Sequence, residues 1–186
     1  MRCFIAVNLS ASLKREVAAA VKGLAAGNWD VKWVAADNLH ITLRFLGTVA
    51  DDTVERIMEL LKTVASGHGS FAVPLRGVGV FPDRRKPRVV WIDIPDSGEL
   101  TRLQAEVEEA CVTIGFTKED RPFSPHLTLG RIRSMDPKDR EPFMRAVETL
   151  KDRDFGNIGV NKISLMKSEL EPAGARYFIV AEYPLK

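Results

Sequence analysis

The chain has 186 residues, 45% of them hydrophobic and 28% charged, with a formal net charge of +2. This is the balance of a water-soluble globular protein, long enough for one compact and at most bilobal domain, and its small positive surplus does not by itself argue for nucleic acid. Two separated cysteines argue for a reducing, cytoplasmic setting, no apolar run approaches the roughly 18 residues of a membrane helix, and Met1-Arg2 leads into a strand-like run with no cleavage-site pattern.

Residues 2–8 read as a strand. Ser10 is placed to cap a helix over 11–26, with Leu13, Val17, Ala20, Val21 and Leu24 at helical spacing and Gly27-Asn28 as its stop. Val31 to Val34 is a short strand, and a longer apolar run follows to Gly47. Asp51 or Asp52 opens a second helix, with Val54, Ile57, Leu60, Leu61 and Val64 inward, which ends in Gly67-His68-Gly69. His68 has no partner pattern around it, so it reads as a solvated loop residue.

Phe71 to Phe81 and Arg88 to Ile94 read as strands flanking a loop with Arg84, Arg85, Lys86 and Arg88 against Asp83. Such a loop is either a solvated hairpin tip or a contact for RNA phosphates. Asp96 or Ser97 caps a third helix to about Ile114, with Cys111 inward as a core thiol and Gly115 as its stop. A strand over 126–132 and a fourth helix from Pro137 to about Leu150 follow. The last third reads as strands over 155–160, 162–170 and 176–183, with a turn at Ala173-Gly174. Short turns join several strand pairs, which favours an α+β fold with antiparallel sheets over a doubly wound parallel one.

Within this frame one tetrad recurs. Of three histidines, two open His-x-Thr-Leu: His40-Ile41-Thr42-Leu43 and His126-Leu127-Thr128-Leu129. Chance would produce this in roughly one shuffle in ten thousand, a risk low enough to treat the pair as a motif. In a strand, alternation sets each histidine beside its threonine on one face, roughly 7 Å apart, and the aliphatic residues on the other. Two histidines are a poor zinc set, because zinc takes three or four N, S or carboxylate ligands. They suit acid–base work, since imidazole titrates near neutral pH and one ring can take a proton while the other gives one. Threonine hydroxyls suit the non-bridging oxygens of a phosphate, and such chemistry rests on positioning and charge stabilisation, with no metal or other cofactor required in principle.

The paired tetrads resemble the 2H phosphoesterase superfamily and, within it, the RNA 2',3'-cyclic phosphodiesterases, also known as 2'-5' RNA ligases. The likeness extends to Met1-Arg2-Cys3-Phe4-Ile5-Ala6-Val7, the segment from Leu39 to Gly47, Phe81-Pro82, Pro87-Arg88-Val89-Val90-Trp91, the segment from Phe123 to Arg131, and a closing strand with Tyr177. The resemblance implies two pseudo-symmetric lobes, each an antiparallel sheet with helices outside, around a central cleft. It also implies His40 as proton donor and His126 as proton acceptor. By residue type alone the near-twin tetrads leave that order open. Thr42 and Thr128 would hold phosphate oxygens, and the family pattern places an arginine at Arg131. Strict alternation sets Arg131 on the opposite face from His126, so reaching the site requires a bulge, for instance at Gly130. Phe45 and Phe123 are candidates for base stacking, although apolar strand residues are more often core. Arg88 is a candidate phosphate contact.

The expected activity is metal-independent hydrolysis of RNA or nucleoside 2',3'-cyclic phosphate ends to the 2'-phosphate, by a monomer, with ATP-independent 2'-5' ligation as a side activity. The rival enzyme reading is a diesterase for a 2'-5' oligonucleotide, an ADP-ribose cyclic phosphate or a 3'-phosphate end. The rival from another class is a non-catalytic RNA-binding module, which leaves the doubled His-x-Thr unexplained because arginine serves phosphate binding better.

Overall fold

A computed structural model describes residues 1–96, 98–172 and 174–186. Ser97 and Ala173, which the sequence offers as a helix cap and a turn residue, lie outside the described residues. The strands are β1 (Arg2–Asn8), β2 (Val31–Trp33), β3 (His40–Thr48), β4 (Phe71–Phe81), β5 (Val89–Asp93), β6 (His126–Ile132), β7 (Asp154–Val160), β8 (Lys162–Glu171) and β9 (Gly174–Pro184). The helices are α1 (Ala11–Ala25), α2 (Asp51–Gly67), α3 (Glu99–Thr113) and α4 (Pro137–Glu148). Local chemistry sets several ends. Ser10 Oγ accepts from Leu13 N at 3.3 Å at the start of α1, and Asp96 accepts from Leu100 N and Thr101 N at 3.1 and 2.8 Å at the start of α3.

The strands form two antiparallel sheets, one in the order β3-β1-β8-β9 and one in the order β2-β6-β5-β4-β7. Helices α2 and α3 cover the outer face of the first sheet, while α1 and α4 cover the second. This is the two-lobed α+β arrangement expected.

The lobes are interwoven. Each half of the chain sets its tetrad strand between two helices, α1-β2-β3-α2 and then α3-β6-α4, and follows with strands, β4-β5 and then β7-β8-β9. The tetrad strand of the first half shares a sheet with the β8–β9 hairpin of the second. The tetrad strand of the second half shares a sheet with the β4–β5 hairpin of the first. Neither lobe can therefore close its sheet from its own half of the chain. The strands β3 and β6 approach each other where the lobes meet, and Val34 N, just past β2, donates to Leu129 O at 2.8 Å and so extends the β2–β6 pairing.

A continuous apolar core runs between sheets and helices, with Ile5, Ile41, Ile57, Leu61, Leu103, Leu127 and Leu129 fully buried. Each such side chain contributes about 1.5–3 kcal/mol over its exposed state. Cys111 belongs to this core, and burial pushes its thiol up to about 11, so it is packing and not a nucleophile. The sequence expectation for His68 is overturned. Its side chain is buried, and Nε2 lies 2.9 Å from Glu106 Oε2 of α3. The chain end covers this corner: Lys186 N donates to His68 O and Ser70 N to Lys186 O. A contact between residues so distant in the chain leaves no trace in the Gly/Ser-rich segment around His68.

Candidate active site

Each tetrad histidine is held by the same local device. His40 Nδ1 lies 2.7 Å from Asn38 O, and His126 Nδ1 lies 2.7 Å from Ser124 O, in both cases two residues back. A carbonyl can only accept, so Nδ1 carries the proton in both rings and Nε2 is the nitrogen left to take one or give one. Thr42 Oγ1 lies 3.0 Å from His40 Nε2, and its hydroxyl can donate to the neutral ring. Within each tetrad the histidine and threonine share a face, and Ile41, Leu43, Leu127 and Leu129 are buried on the other.

Immediately after each threonine the strand bulges. Ala6 pairs with Thr42 and Ile5 with Arg44, so Leu43 is passed over. Trp91 pairs with Thr128 and Val90 with Gly130, so Leu129 is passed over. Two successive residues then point inward and the alternation is inverted beyond them. The fifth residue after each histidine thereby returns to the tetrad face. These residues are Phe45, 60% exposed, and Arg131, also exposed. The bulge that Arg131 required is present, and β3 carries its twin.

The other candidates lie outside the two tetrad strands. Phe123 is half-buried against the core and lines a groove beside α3 with Gln104 and Arg121. Arg88 is exposed just before β5, and its carbonyl accepts from Ile132 N at 2.8 Å. It stands one step out of phase with Val89, the partner of Arg131. In the neighbouring loop Arg84 is engaged by Glu148 of α4 at 2.5 Å.

The surroundings of the two histidines differ. His40 is half-buried, with the Phe4 ring at 4.8 Å and the Tyr177 ring edge-on at 5.2 Å. Phe4, Ala6, Met166 and Tyr177 form a small apolar floor on the cleft side of the first sheet. Burial pushes the His40 imidazole below the ordinary histidine value, the Nδ1 bond to Asn38 opposes this, and the nearby Lys14 adds to it. His126 is exposed, and its cross-strand partner is Asp93.

Several neighbours escape sequence reasoning. Asn8, the strand partner of His40, donates to Ser164 Oγ at 3.1 Å. Ser164, fully buried, donates in turn to Glu182 at 3.1 Å. Arg44 turns inward at the bulge and pairs with Glu108 of α3 and with Thr117 O. Glu108 also accepts from Glu119 N at 2.8 Å. This buried clamp ties the first tetrad strand to the segment that leads into the second. The one sequence signal for it is a single arginine inside an apolar run.

Two carbonyl-anchored imidazoles with hydroxyls beside them, on mirrored strands of a two-lobed α+β fold, define a site suited to opening a phosphoester by proton transfer. The family model described as LigT like Phosphoesterase matches twice in succession, over residues 7–91 and 92–177, so that each match holds one tetrad strand. The chain is 34% identical to the RNA 2',3'-cyclic phosphodiesterase of Methanothermobacter thermautotrophicus, over 95% of each. It is 38% identical to that of Archaeoglobus fulgidus, over 95% of this chain and 96% of the relative. The crystal structure of TT0787 of Thermus thermophilus superposes with a TM-score of 0.84 at 26% identity, covering 100% of this chain and 98% of the other. Escherichia coli LigT complexed with 3'-AMP shares the fold, with a TM-score of 0.76 at 24% identity over 99% of this chain and 97% of the other. The chain belongs to the LigT-like phosphoesterases.

Proposed function

We propose that this chain hydrolyses the 2',3'-cyclic phosphate of RNA or nucleoside ends to a 2'-phosphate by two-histidine acid–base catalysis. The observation that carries the reading is the mirrored anchoring of Nδ1, which leaves the Nε2 of each ring to exchange a proton. The names of the relatives supply the substrate class.

In this mechanism His126 takes a proton from water as the water oxygen bonds to phosphorus. His40 gives a proton to the ribose 3' oxygen as the P–O3' bond breaks, and the phosphate stays on the 2' oxygen. Thr42 and Thr128 donate to the non-bridging oxygens of the cyclic phosphate. Burial favours neutral His40 in the free protein, so donation depends on the substrate, whose phosphate charge beside the ring favours the imidazolium. No step requires a metal. A ribose 5' hydroxyl in place of water would leave a 2'-5' linkage, which makes ATP-independent ligation a side activity of the same pair.

The test is hydrolysis of nucleoside 2',3'-cyclic monophosphates in EDTA by wild type, His40→Ala and His126→Ala, with the 2'- and 3'-phosphate products resolved. Wild type yields the 2'-phosphate in chelator and each variant loses about a thousandfold in kcat. A wild type inert on these and on RNA with a cyclic end, or a variant of full activity, refutes the mechanism and favours a binding module.

A further inference from the structure

The face that carries the tetrad of β6 does not end at β6. Strand β2 pairs with it, and Lys32 stands directly opposite Arg131. Its neighbours Val31 and Trp33 point the other way: a Cβ added to Gly130 would meet Val31 Cγ1 at 2.8 Å and Trp33 Cε3 at 2.9 Å on the core side. Lys32 is therefore on the tetrad face, where it is exposed. It extends toward the opposite lobe, since a side chain on Gly174, at the start of β9, would begin 3.6 Å from its Cε and Nζ.

This arrangement is unfavourable in isolation. Like charges directly opposite on an antiparallel pair repel. Neither Lys32 nor Arg131 has an ion-pair partner among the described residues. Two cations on one face with no ion-pair partner among the described residues suit an anion. Allowing for the bulge, roughly 13 Å of strand lies between His126 and this pair, four repeats of about 3.3 Å. That is further than a single phosphate group spans. A cyclic mononucleotide seated at the histidines has no other phosphate to offer Lys32, whereas an RNA strand has one at each nucleotide.

We infer that Lys32 is a specificity residue for RNA: with Arg131 beside it, it binds a backbone phosphate on the 5' side of the terminal nucleotide and gives an RNA end its advantage over a mononucleotide. The inference rests on the phosphodiesterase reading for its substrate, but its test is separable, because binding can be read without turnover.

The experiment uses wild type, Lys32→Gln, Lys32→Glu and Lys32→Arg, with equal thermal melting as the folding control. Anisotropy of a labelled short oligoribonucleotide ending in 2'-phosphate measures binding against salt. Hydrolysis of a cyclic mononucleotide and of an oligonucleotide with a cyclic phosphate end is followed in parallel. Lys32→Gln weakens oligonucleotide binding at least about fivefold at low salt, Lys32→Glu weakens it more, and Lys32→Arg restores it. The log–log salt slope shrinks by about 0.7, one phosphate of a single strand, while cyclic mononucleotide turnover is unchanged. Unchanged oligonucleotide binding in Lys32→Gln overturns the inference, and so does an equal fall on both substrates. A wild type that binds the oligonucleotide through Lys32 but hydrolyses neither substrate overturns the phosphodiesterase reading and leaves the RNA site standing.

Discussion

Strands β3 and β6 carry the same local backbone in different surroundings. Both hold a histidine through a carbonyl two residues back, both bulge after the threonine, and both return the fifth residue to the cleft. Yet β3 is the edge of its sheet, whereas β6 has β2 along its other side. With no neighbouring strand on that flank, the inward residue at the bulge of β3 can be Arg44, which reaches Glu108. At the equivalent place in β6 the side chains of Val31 and Trp33 close over Gly130 and leave no room for a Cβ. The histidines diverge likewise, one under Phe4 and Tyr177 and the other exposed beside Asp93. A repeated backbone thus supplies two chemically equal groups, and unequal neighbours supply the different environments that the proposed acid and base require.

The sharpest way to break the mirror is a substrate whose leaving group needs no proton. With sulfur in place of the bridging 3' oxygen, His40→Ala should recover about a hundredfold or more relative to the ordinary ester, and His126→Ala should not. Recovery by His126→Ala instead would reverse the two roles.

Next in size is the clamp. Arg44→Ala leaves the Glu108 carboxylate buried without its counter-charge, at a cost of about 3–5 kcal/mol in urea denaturation. The double change Arg44→Met with Glu108→Met should regain most of that loss. If the double variant is as unstable as the single one, the pair is not the source of the effect.

On the β6 side, Gly130→Ala should cost about 1–3 kcal/mol through overpacking against Val31 and Trp33. Thermal melting would check it, and an unshifted midpoint would mean that β2 yields freely. The smallest effect concerns pH. Tyr177→Ala opens His40 to water, so its lowered pKa should rise toward the ordinary histidine value. The limb of a kcat/KM profile that His40 governs should move up by less than about one pH unit. A limb that moves down would show that Tyr177 does not act on His40 through burial.

Alternation along the chain tells which residues of each tetrad face the cleft, because period two is a property of the extended backbone. The segments with 3.6-residue periodicity are helices within a few residues of where the pattern places them. The bulge needed by Arg131 can be named from the sequence as a requirement, but its twin in β3 cannot, because Phe45 raises no conflict that demands one. His68 escapes local reading for a related reason: its environment is made by α3 and the chain end, both far away in sequence.

The doubled histidine–threonine pair, the α+β class and the residues able to move protons are legible in the chain alone, since these depend on residue type and local period. Tertiary structure decided which strand is an edge, which histidine is buried, where Arg44 finds Glu108 and that Lys32 stands opposite Arg131. Each of those depends on pairing between segments distant along the chain. Such pairing is set by how sheets and helices share one core, and no local pattern encodes it.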